Sequence, residues 1–495
     1  MKKFEYNWKK TVPGGLGTVG EVLMLLKDSE TEAAITLENS ISFRELLADA
    51  SKVVSCLRKE GIEPGAPVAV LMDPGIGYVT AAAAAMLGNY IYVPMTLLWP
   101  EDRIRAVAEE CGAAVILTEE KLKALLEQPE DGCEAAFSGP VPAETDPCAY
   151  LYTSGSTGTP KGAVLSHRMV LGMVFSRENV EVLQLNDTYE RYMLMYNMSF
   201  AATSGMMFAN LLIGRTSVIL SEKELTSIDA IAARIIRDKV EWISFTISGM
   251  IRYMENPVFA QASKGITGVC LSGEAVTPIM AEELRKKIPG IRIFDTYGAT
   301  EMFGVAQRIF TGPQEPDWKI WPTTAIYIMD EDMNELPAGE TGELMLGGIS
   351  PEDGYYLADS QLTDERYMVH ETLGRLYRTG DAAIKTADGT FRLAGRMDNM
   401  IKIHGLRMAP EEIENVMGGT PGILQAAVTV REVRGKQVLC GFYTADGDIP
   451  EVLIRTHIAE NLPYYMIPAF IRRIPEMPVN VSGKLQRSAL KEIEI

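Results

Sequence analysis

The sequence is poor in the residues that build metal sites and disulfide scaffolds. It has four histidines without ligand spacing and six scattered cysteines (Cys56, Cys111, Cys133, Cys148, Cys270 and Cys440) with no C-x-x-C pair. A zinc module and a disulfide framework are therefore excluded, and a reduced, cytoplasmic chain is expected. Positive charge is in deficit too: 47 Lys and Arg face 66 Asp and Glu, a net charge of −19. Nucleic-acid binding needs clustered cations, so that class is set aside, and adsorption to an anionic membrane is disfavoured. The opening Met-Lys-Lys-Phe-Glu-Tyr-Asn-Trp has no apolar h-region, so no signal peptide is expected. One uncharged run, Pro74 to Pro100, has the length to span a bilayer. Gly75, Gly77, Gly88, Asn89, Pro94 and Pro100 break it up. A helix over Tyr78 to Leu87 followed by a buried strand at Tyr90 to Val93 is expected instead, with no membrane insertion.

A chain of 495 residues exceeds what one hydrophobic core usually serves, so at least two domains are expected. Charge is unevenly placed. Residues 398–495 hold 11 Lys and Arg against 12 Asp and Glu, leaving nearly the whole negative excess to the rest. A near-neutral C-terminal part could approach an acidic partner more easily. Ser42 with Glu45 makes a capping-box pattern ahead of one apolar face formed by Leu46, Leu47, Ala50, Val53, Val54 and Leu57, with Gly61 as its end. A strand at Pro67 to Met72 follows, and helices and strands go on alternating, which argues for an α/β core. Residues 128–147, rich in Pro, Gly and acids, read as a surface loop.

The stretch that carries chemistry is Tyr152-Thr153-Ser154-Gly155-Ser156-Thr157-Gly158-Thr159-Pro160-Lys161-Gly162, which an apolar strand leads into. Glycines let a backbone approach an anion, successive N–H groups form a nest, and hydroxyls and one lysine add donors and charge. That is a cradle for a polyphosphate. It is neither G-x-x-x-x-G-K-[ST] nor G-x-G-x-x-G; a flexible Gly/Ser/Thr loop is the alternative. The stretch resembles the phosphate loop of the adenylate-forming superfamily: acyl- and aryl-CoA ligases, nonribosomal-peptide adenylation domains and luciferases.

Further blocks occur in that superfamily's order. Val269-Cys270-Leu271-Ser272-Gly273-Glu274-Ala275 resembles a turn whose backbone lies along adenine. Ile293-Phe294-Asp295-Thr296-Tyr297-Gly298-Ala299-Thr300-Glu301 resembles the block in which Tyr297 stacks on adenine, Asp295 accepts from its amino group, Thr300 bonds the α-phosphate and Glu301 holds Mg²⁺. An aromatic face, a hydroxyl and a hard carboxylate oxygen suit those tasks. In Leu376-Tyr377-Arg378-Thr379-Gly380-Asp381 the resemblance gives Asp381 both ribose hydroxyls, and in Gly395-Arg396-Met397-Asp398 it makes Arg396 a ribose or phosphate ligand and Asp398 a hinge. Gly405 would face the thiol channel, and Lys484, in Ser482-Gly483-Lys484, would be the catalytic lysine. The implied architecture is a large N-terminal α/β domain on several sheets (1–397) and a small, mobile α+β domain (398–495).

The acid's pocket is read on Phe200, Ala201, Gly205, Phe245, Ser272, Thr296 and Gly304. Phe200 matches the family's aromatic, but the peptide-synthetase branch follows it with an aspartate that pairs with the substrate's α-ammonium, and here that position is Ala201. A buried ammonium without a counter-charge is costly, so an aryl, branched or short-to-medium aliphatic acid is expected. The resemblance implies ATP and Mg²⁺, an acyl-adenylate, then transfer to the thiol of CoA or of a separate phosphopantetheinyl carrier protein. Gly405 to Glu414 looks like the CoA ligases and Pro463 to Arg487 like the peptide synthetases. The sequence ends after the lysine motif, which suggests a free-standing enzyme. A free-standing amino-acid activator and a luciferase-like oxygenase are the competing readings.

Overall fold

Ser42 starts the helix Phe43–Lys59 as the capping box requires. Its Oγ accepts from the Glu45 N–H at 3.2 Å, and the Glu45 carboxylate accepts from the Ser42 N–H at 2.9 Å. Two orphan donors are thereby satisfied. Leu46, Leu47, Ala50, Val53, Val54 and Leu57 are all buried, and Gly61, at φ +83°, turns the chain away. The uncharged run folds as a helix, Ile76–Leu87, and a strand, Ile91–Pro94, joined by Asn89 at φ +55°. Asparagine tolerates that left-handed turn. Among the described residues no helix is long and apolar enough to cross a membrane.

The structure is a computed structural model. It describes the chain apart from residues 1–5, 130–140, 154–159, 177–188, 274–275, 277, 303, 313–315, 331, 398–400, 404–405, 409, 435, 446, 479–486 and 495. The Cα framework divides into two compact units. One comprises residues 1–96, 108–152 and 162–397, the other 97–107, 153–161 and 398–495.

Among the described residues the larger unit is built on three sheets. The first, nine strands among the described residues, runs Lys319–Ile320, Ala306–Phe310, Arg292–Tyr297, Gly268–Ser272, Trp242–Phe245, Arg191–Leu194, Thr216–Ile219, Glu32–Ile35, Ser40–Ser42. The six inner strands from Arg292–Tyr297 to Glu32–Ile35 are parallel, and antiparallel strands close both edges. The second sheet orders Val115–Leu117, Pro67–Val70, Ile91–Pro94, Pro147–Thr153 and Lys161–Ser166. The third is antiparallel: Thr324–Met329, Thr341–Gly348, Gly374–Lys385 and Tyr367–His370, with Phe391–Arg396 beside Gly374–Lys385.

In the smaller unit the hairpin Ile423–Val433 with Lys436–Ala445 extends well past the apolar stretches 426–430 and 438–443. Backbone pairing carries it on through Arg431, Glu432, Lys436 and Gln437, where no hydrophobic pattern marks a strand. A third strand, Phe470–Arg473, joins in parallel. Its exposed, basic sequence carries no strand signal.

Candidate active site

Strand Arg292–Tyr297 has two working faces, because successive side chains point to opposite sides of a sheet. Its register pairs Thr296 with Ser272 and Gln307, and Phe294 with Cys270. Those residues share one face. Asp295 and Tyr297 take the other, with Arg308 directly opposite Asp295.

On the second face Asp295 is the counter-charge of Arg308. The Arg308 Nε donates to Asp295 Oδ2 at 2.9 Å, both side chains being almost fully buried. The same guanidinium donates to the Val276 carbonyl at 2.9 Å and lies over Trp318, 4.5 Å from its centroid. The resemblance gives Asp295 an amino group of adenine to accept from; the structure adds Arg308, which no motif marks. The only trace of Arg308 in the sequence is a cation that the antiparallel register places across from an anion. Beyond it, the Tyr297 hydroxyl donates to Asp381 Oδ2. The Tyr297 ring meets Trp318 and Phe391 edge-on, at 6.0 and 5.8 Å, and those two stack at 11°. Asp381 follows Gly380, at φ +69°, next to a register shift at Ala382/Ala383, and its N–H donates to Thr379 Oγ1. A bulge of this kind re-aims a side chain. So the two residues read as adenine- and ribose-binding are hydrogen-bonded partners in one buried cluster.

Thr300 and Glu301 lie in the turn that joins strands Arg292–Tyr297 and Ala306–Phe310. Thr300 is half-buried, and Glu301 is 2% exposed. The Tyr356 hydroxyl donates to Glu301 Oε1 at 2.6 Å. Burial, and then the Glu301 charge, push the Tyr356 phenol well above its usual range, so it stays a donor. The segment bearing Tyr356 is pinned from several sides. Val164 N–H donates to the Tyr355 carbonyl and Leu357 N–H to the Gly162 carbonyl. Ser166 and Arg168 both donate to Asp353, and Arg375 donates to the carbonyls of Pro351 and Gly354. The strand that follows the phosphate-loop sequence thus reaches Glu301 through Tyr356. In the sequence Tyr356 belongs to a block, Gly354-Tyr355-Tyr356, that resembles the family, but nothing there gives it a role, because the role depends on a contact 55 residues away in sequence.

On the first face Phe200 is half-buried and heads helix Ala201–Ile213, in which Ala201 is half-buried and Gly205 buried. This helix shares one hydrophobic cluster with Trp242, Phe294 and Trp321. Cys270, Ser272 and Thr296 are half-buried although hydrogen-bonded strands flank them on both sides. Their partial exposure marks where this face opens. Gly304, at φ +123°, lies against Trp321, whose ring a Cβ would meet at 2.1 Å. Phe245 departs from its expected place. Its register partner is Leu271, which puts it on the opposite face from Cys270, Ser272 and Thr296, stacked on Tyr196 at 5.9 Å. The strand pattern gave its position along the chain; only the register decided its side.

Ser154, Gly155, Ser156, Thr157, Gly158, Thr159, Glu274, Ala275, Asp398, Gly405 and Lys484 lie outside the described residues. For Thr153 and Arg396 the backbone is described, ending strands Pro147–Thr153 and Phe391–Arg396. Lys161 is half-buried, and Gly273 takes a left-handed φ of +83°.

Residues 26–356 match the family described as AMP-binding enzyme, and residues 412–484 match the AMP-binding enzyme C-terminal domain. Among curated proteins the chain is 29% identical to surfactin synthase subunit 1 of Bacillus subtilis, over 100% of this chain and 14% of that protein. It is 27% identical to gramicidin S synthase 2 of Brevibacillus brevis, over 98% and 11%. The chain thus spans about a seventh or less of the length of these relatives. Among solved structures it resembles an artificially fused adenylation–PCP di-domain, NpsA-ThdA, from Klebsiella oxytoca (TM-score 0.80, 23% identity, 92% of this chain and 93% of that one). It also resembles o-succinylbenzoate CoA synthetase from Bacillus subtilis (TM-score 0.78, 21% identity, 96% and 98%). These likenesses agree with the mixed α/β architecture. With the family match over residues 26–356 they lead to one conclusion: the chain belongs to the AMP-binding enzyme family, the adenylate-forming superfamily that its motifs resemble.

Proposed function

We propose that this chain condenses a carboxylic acid other than an α-amino acid with ATP, giving an acyl-adenylate and pyrophosphate, and then passes the acyl group to a thiol of CoA or of a separate carrier protein. The observation that carries the choice of acid is Ala201. A half-buried methyl stands at the head of helix Ala201–Ile213, where an ammonium-binding carboxylate would be needed. Asp295, on the strand below, faces the other way and is neutralised by Arg308. A buried ammonium would go without compensation there.

The nucleotide would sit on the second face, with its base against Tyr297 and its ribose hydroxyls on Asp381. A carboxylate has about four acceptor positions, so Asp381 can serve Tyr297 and a ribose together. Thr300 and Lys484 are assigned to the α-phosphate, and residues Thr153 to Lys161 to the β- and γ-phosphates. Glu301 would hold Mg²⁺, which supplies charge neutralisation for the phosphates. Among the described residues no three acidic, imidazole or thiol groups cluster around a cation position. One carboxylate, with phosphate and water oxygens completing the shell, is how Mg²⁺ is commonly bound. Because acid and ATP are both anionic, the residues act by positioning and charge compensation, and no protein nucleophile is required.

The acceptor is left between two thiols by the likenesses themselves, one to an adenylation–PCP di-domain and one to a CoA synthetase. Pyrophosphate release with Mg-ATP over benzoates, branched and linear aliphatic acids and amino acids, each with and without CoA, tests the reading. Turnover on a non-amino acid that rises with CoA supports a CoA ligase. Turnover indifferent to CoA supports a carrier-protein acceptor. Activity confined to α-amino acids overturns the reading of Ala201.

A further inference from the structure

The first face of strand Arg292–Tyr297 holds a polar group that an all-apolar acyl pocket has no use for. Gln307 is 1% exposed. Its Nε2 donates to Thr296 Oγ1 at 2.9 Å and lies 3.9 Å from Cys270 Sγ, while Thr296 Oγ1 and Cys270 Sγ are 3.3 Å apart. Its Oε1 is buried and has no hydrogen-bond partner among the described residues. Buried polar atoms of that kind are few in native proteins, and each needs an explanation. On the same face the Tyr192 and Ser244 hydroxyls satisfy each other, while Trp242 Nε1 shares the condition of Gln307 Oε1. Turning the carboxamide over does not remove the problem. Thr296 would then donate to Oε1, and Nε2 would be the end left over.

The surroundings limit what could complete this group. In front of Gln307 stand Thr296 and Cys270, both half-buried and so reachable from the opening. On the same face lie Trp242 and Phe294, fully buried, with ring centroids 5.0 Å apart. Helix Ala201–Ile213, which opens on the small residues Ala201, Ala202, Thr203, Ser204 and Gly205, shares their cluster. The small residues at the head of that helix leave room for a flat ring beside Thr296 and Cys270. A hydroxyl-and-amide wall suits a hydrogen-bonding substituent on that ring.

We propose that Gln307 is a specificity-determining residue. Acting as a positioning group behind Thr296 and Cys270, it makes the pocket select an aromatic acid that carries a hydroxyl or amino group over its unsubstituted counterpart. This rests on the acid-activating function proposed above and narrows its substrate class. Sites built around a hydrogen bond to a substrate group reject the analogue that lacks it, because their own polar atoms are then left unpaired.

The test compares kcat/KM for pyrophosphate release with benzoate against the hydroxybenzoates and aminobenzoates, using the full chain. The expected result is at least a tenfold preference for one substituted acid. Gln307→Leu and Thr296→Val should each lower that ratio at least fivefold, while Thr296→Ser, which keeps the hydroxyl, should restore it. A general packing defect would depress both acids alike and leave the ratio in place. The inference is overturned if benzoate is turned over as well as every substituted acid, or if Gln307→Leu or Thr296→Val keeps the wild-type ratio. It also falls if only aliphatic acids are activated, although the acid-activating function would then stand. A chain that activates no acid of any kind overturns that function itself.

Discussion

Removing one oxygen from the Tyr356 side chain probes how Glu301 is held. In Tyr356→Phe the ring keeps its place in the cluster with Tyr297, Tyr367 and Tyr377, so no core volume is lost. What disappears is the 2.6 Å hydrogen bond to Glu301 Oε1. A hydrogen bond to a charged group contributes about 1.5–3 kcal/mol, and Glu301, at 2% exposure, has little water to replace it. If the bond only stabilised the fold, the variant would lose that amount in denaturant unfolding and keep its catalytic behaviour. If it orients the carboxylate toward Mg²⁺, the same energy appears in the first half-reaction. At about 1.4 kcal/mol per tenfold, the loss is roughly 10- to 150-fold in the rate of pyrophosphate release at fixed Mg²⁺, together with a raised Mg²⁺ requirement. The assay is pyrophosphate release across a Mg²⁺ titration beside urea unfolding of both proteins. A variant with wild-type rate and wild-type Mg²⁺ dependence would refute the positioning role, whatever its stability.

Lys484→Ala is expected to abolish adenylation with little change in melting temperature; near-normal pyrophosphate release would sink the assignment. Arg308→Met should destabilise the chain by about 3–5 kcal/mol, because it strands the buried Asp295 carboxylate. Arg308→Met with Asp295→Leu should recover much of that loss in the same unfolding experiment, and a double variant no better than the single would contradict it. His167 supplies a pH test. Burial holds its imidazole down at about 4, and its Nδ1 accepts from the Val19 N–H at 3.3 Å, which requires an unprotonated nitrogen. Between pH 6.5 and 4 the unfolded chain binds a proton there that the folded chain does not, so stability falls as pH is lowered through that window. The full effect approaches about 3 kcal/mol. His167→Gln should flatten this slope in urea midpoints measured from pH 7 to 4.5, and an unchanged slope would show that other groups set it.

Local patterns were legible wherever the physics is local. The capping box at Ser42 and Glu45, the apolar face that follows it, and the helix and strand within Pro74–Pro100 all depend on residues a few positions apart. The ordered motifs led to the family in the same way, since a loop that cradles phosphate needs its glycines and hydroxyls in one stretch of chain. What the sequence determined by itself was therefore the class of fold, the family and the positions along the chain that the family's motifs occupy. The tertiary structure decided which of those positions face one another. Register put Thr296, Cys270 and Gln307 on one side of a sheet and Asp295, Tyr297 and Phe245 on the other, and a shift of one residue would exchange them. It also supplied Arg308 for Asp295 and Tyr356 for Glu301. Such pairings lie outside the reach of motif and period, because a hydrogen bond is satisfied by whatever atom is nearest in space, and in a sheet-built domain that neighbour can come from any part of the chain.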